Sequence, residues 1–210
     1  MENDCSFIGH PAGFEIAERA FLYCHLPEGA KVLDIGCGDG ATVNYLTEEF
    51  NLDIYGIDLN PSSIEKNEKI IPANAENIPF ADSSFDGILM ECSFSLMNNQ
   101  ERVLEECFRL LKENGYLVIS DMFARGVPAR FSGCLGRLDS EETIVTLIER
   151  SGFQVTMFVD YSANLPSLWG QLILKNGADS FYKELGTDPQ TIKKIKCGYF
   201  LLIATKSAEN

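Results

Sequence analysis

The run Val32-Leu33-Asp34-Ile35-Gly36-Cys37-Gly38-Asp39-Gly40, followed by Gly56-Ile57-Asp58-Leu59-Asn60, constrains this chain more than any other feature. It reads as a buried strand, a glycine turn, a helix and a second strand tipped by an acid. Glycines at alternate positions let a turn pass close to a ligand without a Cβ in the way. A carboxylate closing the next strand is placed to accept hydrogens from a ribose diol. Together they imply an open α/β sheet with a nucleotide-shaped pocket at the carboxyl ends of its strands.

The rest of the chain alternates in the same manner. Phe14, Ala17, Phe21 and Leu22 at helical spacing predict a helix over about residues 11 to 25, before a strand from Lys31 to Ile35. Val43, Leu46 and Phe50 mark the helix after the glycine turn, and Asp53 to Asp58 the second strand. Asn60 suits an N-cap and Pro61 a first helical position, so a short helix is expected there, then a brief strand near Ile70 and Ile71. A fourth strand from Phe85 to Glu91, a helix over about 100 to 112 and a fifth strand from Tyr116 to Asp121 follow. Runs such as Leu117-Val118-Ile119 suit a parallel sheet buried on both faces. Ser140 caps a helix through Ile144, Leu147 and Ile148; strands over Gln154 to Asp160 and Tyr199 to Thr205 then bracket an insertion at about 162 to 196 with helical patterning. At 210 residues and 45% hydrophobic, residues 1–210 are expected to form one domain.

Charge narrows the partners. Seventeen basic against 31 acidic side chains give a net charge of -14, which repels a phosphate backbone or an anionic membrane. No apolar run approaches the roughly 20 residues of a spanning helix and no leader pattern is seen, so a cytoplasmic protein is expected. The seven cysteines contain no C-x-x-C pair, which argues against a metal site; Cys107 falls in the apolar series of one helix face.

Gly36, Gly38 and Ala41 also fit the loose dinucleotide pattern, which leaves a nicotinamide oxidoreductase open, and a non-catalytic module that senses the ligand is a further alternative. Asp34 shifts the balance. A carboxylate beside a pyrophosphate would repel it, whereas it suits the ammonium and sulfonium of S-adenosylmethionine.

With Asp34 ahead of Gly36, Gly38 and Gly40, the chain resembles the class I S-adenosylmethionine-dependent methyltransferases over about residues 10 to 160. Asn74-Ala75-Glu76-Asn77-Ile78-Pro79-Phe80 looks like that family's adenine loop, Ser84 to Ile88 like the start of its fourth strand, and Leu110 to Leu117 like the turn into its fifth. The likeness is greatest to small bacterial enzymes of the ubiquinone and menaquinone type. The resemblance implies a three-layer, Rossmann-like fold: a mostly parallel seven-stranded sheet with an antiparallel edge hairpin and a helical insertion before the last strand. It implies S-adenosyl-L-methionine as cofactor and a small-molecule acceptor covered by the N-terminal helix and the insertion.

The resemblance implies that the turn of Asp34, Gly36, Cys37, Gly38 and Gly40 faces the methionine portion, Asp58 the ribose and Leu59 the adenine. It further implies that Asn74, standing where the family usually has Asp, accepts from the adenine amino group beside the Ala75 N–H, and that Glu91 closes the pocket. Methyl transfer asks little of side chains, because the sulfonium is already electrophilic and needs mainly a positioned nucleophile and a dry site. Glu91, Asp121 and His10 are the candidates for a base, with Phe14 and Trp169 as candidate walls. Cys37, Cys92 and Cys134 are the thiols that a soft acceptor such as arsenite would seek. The oligomeric state is not legible in the sequence.

Overall fold

The computed structural model describes residues 11–61 and 67–207. In chain order these form α1 (Glu15–Cys24), β1 (Lys31–Ile35), α2 (Ala41–Phe50), β2 (Asp53–Asp58), β3 (Ile70–Pro72) and β4 (Phe85–Glu91). A 3-10 turn (Phe94–Leu96), α3 (Gln100–Leu110), β5 (Leu111–Ala124), β6 (Ala129–Arg130), β7 (Arg137–Leu138) and α4 (Glu141–Arg150) come next. β8 (Phe153–Asp160), α5 (Leu165–Asn176), α6 (Ala178–Leu185), α7 (Pro189–Ile195) and β9 (Cys197–Lys206) complete the chain.

Seven strands make one sheet in the order β3-β2-β1-β4-β5-β9-β8. β1 pairs in parallel with β2 on one side and β4 on the other, so the winding reverses between β1 and β4. β9 runs antiparallel to both β5 and β8, which gives the expected antiparallel edge. In such a sheet the crevice lies outside the carboxyl ends at the reversal. Gly36 follows β1 there, and Glu91 ends β4.

Alternation along the strands divides the core in two. Val32, Ile54, Leu89 and Val118 pack with α1, α2 and the insertion helices; Leu33, Ile57, Ile88 and Leu117 pack with α3 and α4. This is the three-layer arrangement implied by the resemblance. α3 shows why its sequence forms the element it does. Val103, Leu104, Cys107 and Leu110 are all 0% exposed on one stripe, and the Asn99 side chain accepts from the Arg102 N–H at 3.1 Å to close its first turn. Truncating a buried leucine in such a stripe typically costs about 2–5 kcal/mol.

Two features differ from expectation. α3 ends at Leu110 and β5 begins at Leu111, because Leu111 pairs with Phe85. The polar stretch from Lys112 to Asn114 hid that early strand character. The β6–β7 hairpin was not expected, since two-residue strands carry no readable period. The helix anticipated after Asn60 and Pro61 falls on residues 62–66, outside the described residues. The insertion is helical as patterned, with Asp188 capping α7 by accepting from the Gln190 and Thr191 N–H groups at 2.8 and 3.0 Å.

Candidate functional site

The glycine turn is built by hydrogen bonds across the strand ends. Ile57 C=O accepts from the Gly36 N–H at 2.7 Å and from the Cys37 N–H at 3.1 Å, which folds the turn back over β2. Gly36 adopts φ +80, and a Cβ there would lie 2.5 Å from Ser93 Cβ. Ser93 cannot retreat, because it is buried and its hydroxyl donates to Ile35 C=O at 2.6 Å. At Gly38, φ is +54 and a Cβ would meet nothing within 4 Å. Gly36 therefore serves close packing, while Gly38 borders open space.

Asp58 stands beside that space. One carboxylate oxygen accepts from the Gly38 N–H at 3.1 Å and the other from the Asn60 N–H at 3.0 Å, which ties the end of β2 to the turn. Each oxygen has a further lone pair. Leu59 follows with 67% of its surface exposed, a large apolar side chain standing in solvent at the rim. Asp34 is buried at 3% exposure within β1. Cys37 packs its sulfur against Gly56, where a Cβ would lie 2.7 Å away; burial, reinforced by Asp34, pushes its thiol far up and keeps it protonated.

Beyond the end of β2, just after β3, Asn74 is exposed and Ala75 buried at 8%. The Asn74 side-chain oxygen already accepts from the Glu76 N–H at 2.9 Å, so one of its lone pairs shapes its own turn. The sequence did not reveal what fixes this loop. Glu106, 3% exposed, accepts from the Ile78 N–H at 2.9 Å and is forked by Arg109 at 2.7 and 3.1 Å and by Arg102 at 2.9 Å. Arg109 also donates to Ile78 and Phe80 carbonyls at 3.0 and 2.8 Å. The available signal was an acid amid the buried face of α3, with arginines three residues after it and four before it.

Glu91 is 6% exposed and accepts from the Thr42 hydroxyl at 2.9 Å and the Ser120 hydroxyl at 3.4 Å, which bolts α2 to the ends of β4 and β5. Asp121 is 1% exposed and accepts from the Ser95 N–H, the Ser95 hydroxyl and the Met122 N–H at 2.7, 3.0 and 2.6 Å. Burial nevertheless raises its pKa from 3.8 to about 6. The folded chain thus holds this proton more tightly than the unfolded chain does. Its contribution to stability should therefore decline as pH rises from 3.8 to about 6. Urea midpoints across that window are expected to fall in the wild type relative to Asp121→Asn, whose amide does not titrate. Parallel curves would remove the burial explanation.

His10 lies outside the described residues. Phe14 is half-buried and stacks on Tyr45 with centroids 4.1 Å apart, while Trp169 meets Phe181 edge-on at 5.6 Å, its ring N–H without a partner among the described residues. Among the described residues no group of three His, Cys, Asp or Glu side chains could hold a metal ion, and Cys134 is disulfide-bonded, so a three-thiol site of Cys37, Cys92 and Cys134 does not form. A polar groove of about 1070 Å³ between the first turn of α3 and α4 lies apart from the glycine turn and Asp58.

A sheet of this order, with one strand reversed near its edge and a glycine turn facing an acid at the point of reversal, defines a Rossmann-like methyltransferase fold. The comparisons agree. A methyltransferase domain family matches residues 33–119. An O-methyltransferase of Aspergillus nomiae is 31% identical over 152 residues, covering 63% of this chain and 68% of that protein. A demethylmenaquinone methyltransferase of Thermotoga maritima is 36% identical over 110 residues, 49% of this chain and 48% of that one. In structure, the Haemonchus contortus phosphoethanolamine N-methyltransferase 2, solved with S-adenosyl-L-methionine, superposes with a TM-score of 0.77 at 17% identity, covering 95% of this chain and 54% of that chain. The chain belongs to the class I S-adenosylmethionine-dependent methyltransferases. It is thus an enzyme of methyl transfer, and the nicotinamide and non-catalytic alternatives are set aside. Among the described residues no helix is long and apolar enough to cross a membrane.

Proposed function

We propose that the strand-end crevice holds S-adenosylmethionine, with Asp58 on the ribose, the turn of Asp34, Gly36, Cys37, Gly38 and Gly40 under the methionine portion, and Leu59, Asn74 and Ala75 around the adenine. The observation that carries this reading is the Asp58 carboxylate, fixed by two backbone N–H groups at 3.1 and 3.0 Å beside the open space at Gly38. An ionised carboxylate accepts diol hydrogens in charge-assisted bonds, and bare backbone admits a ligand where a Cβ would intrude. The residues present fit the cofactor. Bound there, it supplies a sulfonium methyl open to in-line attack.

The chain's own contribution is to position and to exclude water. α1 and the 162–196 insertion lie in the same layer, packing Ile16, Phe21, Phe181 and Leu185 into one core, and they would cover the acceptor within a single 1–210 domain. We assign the acceptor as a small molecule carrying a hydroxyl, on the strength of the O-methyltransferase relative and of the net charge of -14, which disfavours a nucleic acid or an anionic bilayer.

Mass spectrometry of S-adenosylhomocysteine formed with a panel of phenols, against an amine panel and an acceptor-free control, tests the acceptor class. Product is expected to accumulate above the control with phenols. Turnover with amines alone would contradict the assignment.

A further inference from the structure

A line of hydrogen-bonding side chains links the residue after β4 to Glu91 at the end of β4 by way of β9 and β5. Cys92 Sγ lies 3.3 Å from Tyr199 Oη, and either can donate. Tyr199 Oη donates to Ser120 Oγ at 3.3 Å, Ser120 Oγ donates to Glu91 Oε1 at 3.4 Å, and Thr42 holds the other oxygen of Glu91 at 2.9 Å. Tyr199, Ser120 and Glu91 are 1%, 1% and 6% exposed; Cys92 is the partly exposed member. The line therefore has an outer end, a thiol, and an inner end, a carboxylate.

The outer end is one residue in sequence from the packing partner of the cofactor turn. Cys92 follows β4 directly, and its neighbour Ser93 is the residue a Cβ on Gly36 would strike at 2.5 Å. Cys92 also holds φ +50, a left-handed backbone that costs a residue with a Cβ about 1–2 kcal/mol. Such strain persists where the surroundings impose it and clusters at functional sites. A simple packing role for the thiol would require neither that backbone nor a continuous set of donors behind it.

We propose that Cys92, Tyr199 and Ser120 form a proton path ending on Glu91, which takes the proton from the acceptor hydroxyl as its oxygen receives the methyl group. The proposal rests on the reading of the crevice as the site of methyl transfer to oxygen. The acceptor proton passes to Cys92 Sγ as the thiol proton passes to Tyr199 Oη, the phenol proton to Ser120 Oγ and the serine proton to Glu91. The acceptor oxygen forms its bond to the methyl carbon, and the carbon–sulfur bond breaks with its electron pair left on sulfur. After product leaves, Glu91 returns the proton to solvent through the same groups. Cys92 would touch the acceptor; Tyr199 and Ser120 are positioning residues. Burial keeps both the Cys92 thiol and the Tyr199 phenol well above their ordinary ranges, so each has a proton to give as it accepts another.

Tyr199→Phe breaks the path in its middle while keeping the ring. The test compares methyl transfer to phenol and to 4-nitrophenol, at an alkaline pH where only 4-nitrophenol is ionised, with S-adenosylhomocysteine affinity measured on the same samples. With phenol, kcat is expected to fall by about 100-fold at unchanged KM, the scale of general-base catalysis. With 4-nitrophenol, which has no proton to lose, it is expected to change little, and S-adenosylhomocysteine affinity to hold. Ser120→Ala should repeat the pattern and serves if Tyr199→Phe does not fold. Equal losses with both acceptors, or no loss with phenol, overturn the path. A wild-type enzyme that binds S-adenosylhomocysteine yet methylates neither probe also overturns it, and leaves the cofactor assignment standing.

Discussion

Gly36→Ala is expected to lose about 3 kcal/mol of folding stability, whereas Gly38→Ala should fold and instead lose the cofactor. At Gly36 two costs add. A residue with a Cβ held at φ +80 is strained by roughly 1–2 kcal/mol. The methyl group would also arrive 2.5 Å from Ser93 Cβ, and overpacking a site that cannot yield costs about 1–3 kcal/mol. At Gly38 only the first cost applies, because nothing lies within 4 Å of the new methyl. That open space is where the methionine portion is proposed to sit, so the methyl should compete with ligand, and S-adenosylhomocysteine affinity is expected to fall by roughly tenfold or more, about 1.4 kcal/mol. Thermal melts and calorimetry on the two variants separate the effects. A Gly36→Ala protein as stable as wild type, or a Gly38→Ala protein that binds normally, would contradict these roles.

The second large effect is at Glu106. Its carboxylate satisfies two arginines and the Ile78 N–H while almost wholly buried. Glu106→Ala leaves the buried Ile78 N–H without its acceptor, while the part-exposed Arg102 and Arg109 turn to solvent, and an orphaned buried donor typically costs about 1–3 kcal/mol. The loss should reach the crevice, because Arg102 and Arg109 also hold the Glu76, Ile78 and Phe80 carbonyls of the loop proposed to flank the adenine. The Arg109 hydrogen bond, chief among several causes, lowers the Glu106 pKa below its ordinary 4.5. Its stabilisation is therefore complete above the unfolded value and fades as pH falls through the lower folded one. Urea unfolding at neutral and acidic pH checks both statements. The gap between wild type and Glu106→Ala should be widest at neutral pH and narrow under acid.

The sheet and its glycine turn were legible because both are local. Parallel strands buried on both faces leave continuous apolar runs, and the turn and Asp58 lie within one strand-turn-helix-strand unit. What escaped was set by contacts distant in sequence. Nothing near Glu106 in the chain announces Ile78, 28 residues away, and Tyr199 reaches Ser120 across 79 residues. Asp121 reads as a free acid at a strand end until Ser95, 26 residues earlier, is seen to occupy both its oxygens. The early start of β5 was hidden by the polar residues Lys112 to Asn114 that follow Leu111 in its first, more exposed part.

Calorimetric titration of S-adenosylhomocysteine into wild type and Asp58→Ala, with melts on the same preparations, bears on whether the carboxylate at the end of β2 grips the cofactor ribose. Wild type should bind, and the variant should bind more weakly by at least about 1.5 kcal/mol, the scale of hydrogen bonds to a charged group. Equal affinities in two folded proteins would contradict that assignment.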